Sequence, residues 1–152
     1  MKVWEVMNKK TVSVSPEASF VEVWNLLFKK HTHSVPVVDK KGTLLGIIAL
    51  GDVLTKLYPS YSDTMEEFLT ESTFEDLEDK IDEVKSLKAT DIMRKEVHCA
   101  YPDDPILKAL SKMVVRRIRQ LPVIDYDSKL LGVVSKRDIF DKLFLFKLPR
   151  KK

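Results

Sequence analysis

Two periods alternate along this chain. Short β-branched or aliphatic runs are followed by apolar residues that recur every three or four positions. Thr11 to Val14 alternates and is β-branched, which predicts a strand that Pro16 ends. Phe20, Val23, Trp24 and Leu27 then fall at helical spacing. Val35 to Val38 reads as a buried strand, Lys40-Lys41-Gly42 as a hairpin turn and Leu44 to Ile48 as the return strand. A helix is predicted from about Gly51 to Leu57.

The same order then recurs. Val97 to Cys99 predicts a strand. Asp104-Pro105 predicts a helix start, with an acid at the N-cap and proline at the first helical position. Ile106, Leu110, Met113 and Val114 supply its apolar face. Leu121 to Ile124 and Leu130 to Val134 form a second hairpin, and a last helix runs from Ser135 to about Phe146.

The recurrence is a true internal repeat. Val6-Met7 matches Ile92-Met93, and Ser34-Val35-Pro36-Val37-Val38-Asp39 matches Gln120-Leu121-Pro122-Val123-Ile124-Asp125. Leu44-Leu45-Gly46-Ile47-Ile48 matches Leu130-Leu131-Gly132-Val133-Val134, and Asp52-Val53-Leu54 matches Asp138-Ile139-Phe140. All four pairs share one offset of 86 residues without a gap. Two copies are too few for a solenoid, so two small units packed as a pair are expected. The fold class is α/β, a tandem pair of β-α-β-β-α units. The division is residues 1–57 for the first copy, 58–86 for an insert, 87–146 for the second copy and 147–152 for a basic tail.

Charge changes the picture between the copies. Residues 58–86 hold ten acids and two lysines, a net of −8, which leaves +11 on the remainder of a chain whose total is +3. A basic body suggests anionic ligands. In the insert, Phe74, Leu77, Ile81 and Val84 fall on one helical face with acids opposite. Ser72 and Glu75 have capping-box spacing, and a shorter helix is predicted over Asp63 to Leu69. The insert therefore reads as structured. Its helix is expected to pack on its own fold or on a dimer mate, and less so to dock a partner protein.

The remaining composition is that of a soluble globular protein, with 44% hydrophobic and 32% charged residues. No apolar stretch approaches the ~20 residues that span a bilayer. Cys99 is the single cysteine, so no internal disulfide is possible and a cytoplasmic setting is expected.

Taken together, the repeated Val/Ile-Met, x-Pro-Val-Val/Ile-Asp and Leu-Gly-hydrophobic-hydrophobic-x-x-x-Asp motifs resemble the CBS domain (cystathionine β-synthase domain) family. The resemblance covers residues 1–57 and 87–146. It implies a tandem pair that often dimerises. It also implies adenosyl ligands, AMP, ADP, ATP or S-adenosylmethionine, in clefts between the copies. The acidic insert departs from the shortest family members, whose copies are joined more tightly.

Gly132-Val133-Val134-Ser135-Lys136-Arg137-Asp138 resembles the family's nucleotide motif G-h-h-[ST]-x-x-D. A strand end meeting a helix start offers backbone N–H groups and the positive end of the helix dipole to an anion. Ser135 adds a hydroxyl, and Asp138 can accept from both ribose hydroxyls. Lys136 and Arg137 lie in the first turn, where cations oppose the helix dipole unless an anion is near. Ser135 and Asp138 also have cap spacing, so a plain helix cap is a compatible reading.

The first copy reads Gly46-Ile47-Ile48-Ala49-Leu50-Gly51-Asp52. It keeps Asp52 for a ribose but loses the hydroxyl and both cations, which predicts a weak or empty site. Gly46 and Gly51 have Walker A spacing, but Asp52 stands where that motif requires lysine, so a P-loop is rejected. The resemblance places His33 and Arg119, at equivalent positions, near phosphate. A solvated charge is the alternative for Arg119. For adenine it points to Val97, His98, Leu121 and Pro122, with Thr11, Val12, Val35 and Pro36 as their first-copy counterparts. Ordinary core is the other reading of these apolar residues. His31-Thr32-His33 lacks clustered carboxylates or cysteines, so no metal is expected.

An enzyme is not expected, since no nucleophile motif, metal motif or glycine-rich phosphate loop is present. Nucleic acid is a weaker alternative, resting on Arg116 to Arg119 and the basic tail. The expectation is a regulatory homodimer that binds an adenine nucleotide chiefly at Ser135 and Asp138 and signals to an unknown partner. A ligand-free protein-interaction module is the alternative.

Overall fold

The computed structural model describes residues 1–57, 74–145 and 147–148, with backbone alone for 74–77. Two compact units are present. One, the second-repeat unit, comprises Met1–Val12, Lys40–Leu44 and Val97–Lys152. The other, the first-repeat unit, comprises Ser13–Asp39 and Leu45–Glu96. Each unit is thus completed by a leading segment that precedes the other repeat in sequence.

In the first-repeat unit, α1 (Phe20–Trp24) starts on Ser19, whose hydroxyl accepts from the Glu22 N–H. The helix continues as a π-helical stretch, Asn25–Lys29. Strands β1 (Ser34–Val38) and β2 (Leu44–Ala49) form a two-stranded sheet. Helix α2 (Leu50–Leu57) leaves β2 with no intervening loop. Helix α3 (Phe74–Lys85) lies against α1 and α2, and α4 (Ala89–Ile92) follows it. Val23, Val35, Val37, Ile48, Val53, Val84, Ala89 and Ile92 belong to one buried cluster.

In the second-repeat unit a short 3-10 turn, Val3–Glu5, precedes α5 (Ile106–Val115). Strands β3 (Gln120–Ile124) and β4 (Leu130–Ser135) run antiparallel and lead into α6 (Lys136–Leu145). Their register sets Gln120 opposite Ser135, Leu121 opposite Val134 and Pro122 opposite Val133. Val3, Met113, Leu121, Val123, Val134 and Ile139 fill the core of this unit.

The 86-residue symmetry holds at the backbone. Val14 bridges Val37 in parallel as Ala100 bridges Val123. Lys2 bridges Pro105 as Lys88 bridges Ser19, and Asn8 bridges Val133 as Arg94 bridges Ile47. The left-handed residues also match: His31 with Arg117, and Gly42 with Ser128.

Three expectations need correction. Thr11 to Val14 and Val97 to Cys99 are not strands. The first segment pairs only at Val14, and the second only through the residue that follows it, Ala100, because a ladder needs a neighbouring backbone along its length. Helix α5 begins at Ile106 with Pro105 as N-cap, one residue later than expected. Asp104 instead accepts from the Tyr101 N–H (2.9 Å) and pairs with Lys108 Nζ (2.7 Å). On α3, Val84 is buried but Ile81 is 40% exposed, so the apolar face is only partly covered. The capping box at Ser72 and the helix over Asp63 to Leu69 lie outside the described residues.

Candidate functional site

The second motif is built where β4 passes directly into α6. Ser135 donates twice to Asp138 Oδ2, from its N–H (2.8 Å) and its hydroxyl (2.7 Å). The Asp138 N–H donates back to Ser135 Oγ (3.1 Å). This is a reciprocal capping arrangement, so the plain cap reading holds structurally. Asp138 is half-buried, with both of these carboxylate contacts on Oδ2. Ser135→Ala is expected to lower stability by about 1 kcal/mol, a fall in Tm of about 3 °C, measured by thermal melting.

The first-turn N–H groups are less free than the sequence suggested. Those of Ser135 and Asp138 are donated within the cap, and Lys136 N–H goes to the Arg119 carbonyl (3.2 Å). A strand that feeds straight into a helix leaves its neighbouring strand within reach of these donors. The Lys136 bond places Arg119 beside the start of α6. The Arg119 side chain is exposed, and Lys136 is half-buried. Arg137 is exposed and lies 3.6 Å from Asp141 one turn on. That pair gives Arg137 a helix-surface partner, although exposed pairs of this kind contribute little.

Val97 and His98 are half-buried in the stretch that leads to Ala100. Ala100 donates to the Pro122 carbonyl (2.9 Å). The residue before it, Cys99, presents its carbonyl to Lys112 Nζ at 2.6 Å, and burial pushes its thiol pKa up. Leu121 is fully enclosed in the core and Pro122 is buried beside it, which leaves mainly their backbone to meet a ligand. Val35 and Pro36 are enclosed in the same way in the first-repeat unit. Thr11 and Val12 are half-buried and belong to the second-repeat unit, with Val97 and His98. The four residues read as a first-copy adenine wall are therefore divided between the units. His33 is exposed and immediately precedes β1.

The first motif differs in the partner its aspartate holds. Asp52 Oδ2 accepts from the Ala49 N–H (2.7 Å), as Asp138 does from Ser135. Its Oδ1, however, meets Arg94 Nε at 2.7 Å. The Asp52 side chain is 11% exposed and that of Arg94 is 52% exposed. A cavity of about 330 Å³ adjoins the pair, lined by Ala49, Gly51, Asp52, Leu54, Thr55 and Arg94. Arg94 was not singled out from the sequence. The signal was there in the repeat itself, because Val6-Met7 is followed by Asn8 where Ile92-Met93 is followed by Arg94.

Among the described residues no cluster of three or more metal-binding side chains occurs. No helix among them is long and apolar enough to cross a membrane.

Comparison with known proteins agrees with this fold. The chain is 30% identical over 148 residues to an uncharacterized protein of Methanocaldococcus jannaschii, covering 89% of this chain and 87% of that one. It is also 30% identical over 138 residues to the inosine-5'-monophosphate dehydrogenase of that organism, covering 91% of this chain. There it spans only 23% of the relative's length. In fold it is similar to CBSX2 solved in complex with AMP, at a TM-score of 0.74 and 21% identity, covering 97% of this chain and 98% of that one. It is similar too to the CBS domain pair of protein MJ0100 solved with 5'-methylthioadenosine and S-adenosyl-L-methionine. That TM-score is 0.68 at 24% identity, over 97% of this chain and 98% of the other. The CBS domain model matches residues 3–59 and 89–145, one match for each repeat, and the chain belongs to the CBS domain family as a tandem pair.

Proposed function

We propose that this protein is a non-catalytic regulatory module that binds an adenine nucleotide, AMP, ADP or ATP, at its second motif. The observation that carries the reading is the contrast between the two conserved-geometry aspartates of the repeats. Asp138 is fixed by Ser135 through Oδ2, with Lys136 and Arg119 at the same helix start. Asp52, its counterpart, already holds an arginine. A ribose diol needs a fixed acceptor, and a phosphate needs nearby cations; the second motif supplies both. The AMP and S-adenosylmethionine complexes of similarly folded proteins support an adenosyl ligand.

Binding at Ser135 and Asp138 would draw Lys136, Arg119 and the exposed Arg137 toward the phosphate. A partner protein would then read the changed population of states. The coupling is limited to the difference in nucleotide affinity between those states. We further propose that the working form is a homodimer.

Calorimetric titration with AMP, ADP, ATP, S-adenosylmethionine and GTP tests the reading. Selective adenosyl binding, weakened at least tenfold in Asp138→Ala, is the expected result, since loss of a charged acceptor removes about 1.5–3 kcal/mol. Equal binding by Asp138→Ala overturns the site assignment. No binding of any nucleotide favours a ligand-free interaction module.

A further inference from the structure

The two repeats put different residues at one equivalent place. Asn8 and Arg94 are related by the repeat offset, and each is pinned by a pair of backbone hydrogen bonds. Asn8 exchanges two with Val133, at 2.8 and 3.0 Å. Arg94 exchanges two with Ile47, at 2.9 and 3.0 Å. A glycine lies beneath each: a Cβ on Gly132 would meet the Asn8 carbonyl, and one on Gly46 would meet Met93 and the Arg94 carbonyl. The backbone is therefore held equally in both units, and only the side chains differ.

Those side chains do different things. Asn8 turns its Oδ1 back onto the Lys10 N–H at 2.9 Å, a local turn bond that reaches no further. Arg94 extends to Asp52 and takes its Oδ1 at 2.7 Å. The carboxylate then has Ala49 on one oxygen and the guanidinium on the other. The cavity of about 330 Å³ beside them lies within the size range of small-molecule sites, so there is room for a ligand next to an acceptor that is already used. The half-exposed guanidinium loses little by staying there, because the Ile47 bonds hold its backbone in place independently of the ion pair.

We propose that Arg94 is an internal plug of the first motif: it holds the oxygen of Asp52 that a ribose hydroxyl would need, and so keeps this motif closed to nucleotide. This rests on the reading of the protein as an adenine-nucleotide binder and adds, to the missing hydroxyl and cations of the first motif, a further reason why the two motifs differ. Arg94→Asn copies the residue of the other repeat at this place and leaves the backbone bonds available. It opens Asp52 and the cavity together.

The test is the number of AMP molecules bound per chain by calorimetry, with S-adenosylmethionine run in parallel. The full-length wild type, Arg94→Asn, Arg94→Gln and Arg94→Asn combined with Asp52→Ala are compared. Thermal melts of the Asn and Gln variants check folding, and either one suffices. One site in the wild type, two in Arg94→Asn or Arg94→Gln, and one again in the double variant is the expected result. The new site is at least tenfold tighter than any residual first-motif binding in the wild type. One site in every protein overturns the plug and leaves nucleotide binding standing. Two sites in the wild type, one of them lost in the double variant, also overturns it. No site in the wild type but one in Arg94→Asn, lost in the double variant, supports the plug and overturns the second-motif reading. No site in any variant overturns both.

Discussion

Gly132→Ala is expected to destabilise the second-repeat unit by about 3 kcal/mol, measured as a fall in the urea midpoint. A Cβ at this position would sit 2.5 Å from the Asn8 carbonyl oxygen and 3.2 Å from its carbon. Both are backbone atoms, and Asn8 is tied to Val133 by two hydrogen bonds, so neither side can yield without breaking the bridge. Overpacking of this kind costs about 1–3 kcal/mol, and a lost backbone pair adds to it. Gly46→Ala is the internal comparison. Its nearest neighbour is the Met93 sulfur at 2.6 Å, which can move, with the Arg94 carbonyl at 2.8 Å. A smaller loss is expected there. If both variants keep wild-type midpoints, the close approach is not what these glycines provide. In the sequence these glycines stand out as the first letter of a ligand motif. In the structure their lack of a side chain admits the leading segment that crosses behind the strand.

Leu121→Ala is expected to cost about 3–4 kcal/mol in the same unit. Leu121 is fully buried on β3, among Val3, Ala100, Met113, Val134 and Ile139. These neighbours come from five separate segments, so no single one can move in to fill the space. Val115→Ala, on a side chain 77% exposed at the end of α5, is the control and should shift stability by less than about 0.5 kcal/mol. Against the 5–15 kcal/mol that a domain commonly has, the Leu121 loss is large. Chemical denaturation read by circular dichroism separates the two. Equal midpoints for Leu121→Ala and Val115→Ala would mean that β3 is not central to this core.

The hairpins and the two motif helices were legible because their patterns are local. Val35 to Val38 and Leu121 to Ile124 are short apolar runs bounded by turns, and each lies within a strand only one residue longer. Helices α2 and α6 start where a strand pattern gives way to Asp52 and Asp138 at cap spacing. Thr11 to Val14 and Val97 to Cys99 have strand composition too, yet the first pairs only at Val14 and the second only through the residue after it, Ala100. Propensity describes the residue, whereas a ladder requires a neighbour that the sequence does not specify. Ser135 and Asp138 were readable as a pair because three residues separate them on one helix start. The pairing of Asp52 with Arg94 was not, because it depends on which unit the segment before Val97 joins. That membership is set by packing of Ala89 and Ile92, not by any local periodicity.

The exchanged leading segments carry a consequence for how such a protein can arise. A single repeat standing alone would carry Val3, whose buried neighbours come from 97–145, and would lack Ala89 and Ile92 from its own core. It would be complete only by trading this segment with another copy, as in a domain-swapped dimer. Joining two copies in one chain converts that trade from an encounter between molecules into an intramolecular step. The effective concentration of the missing piece then becomes roughly millimolar, whatever the expression level. Gene duplication and fusion would thus have freed an obligate partnership from dilution. Within one chain the two copies can also differ, as they do at Asn8 and Arg94.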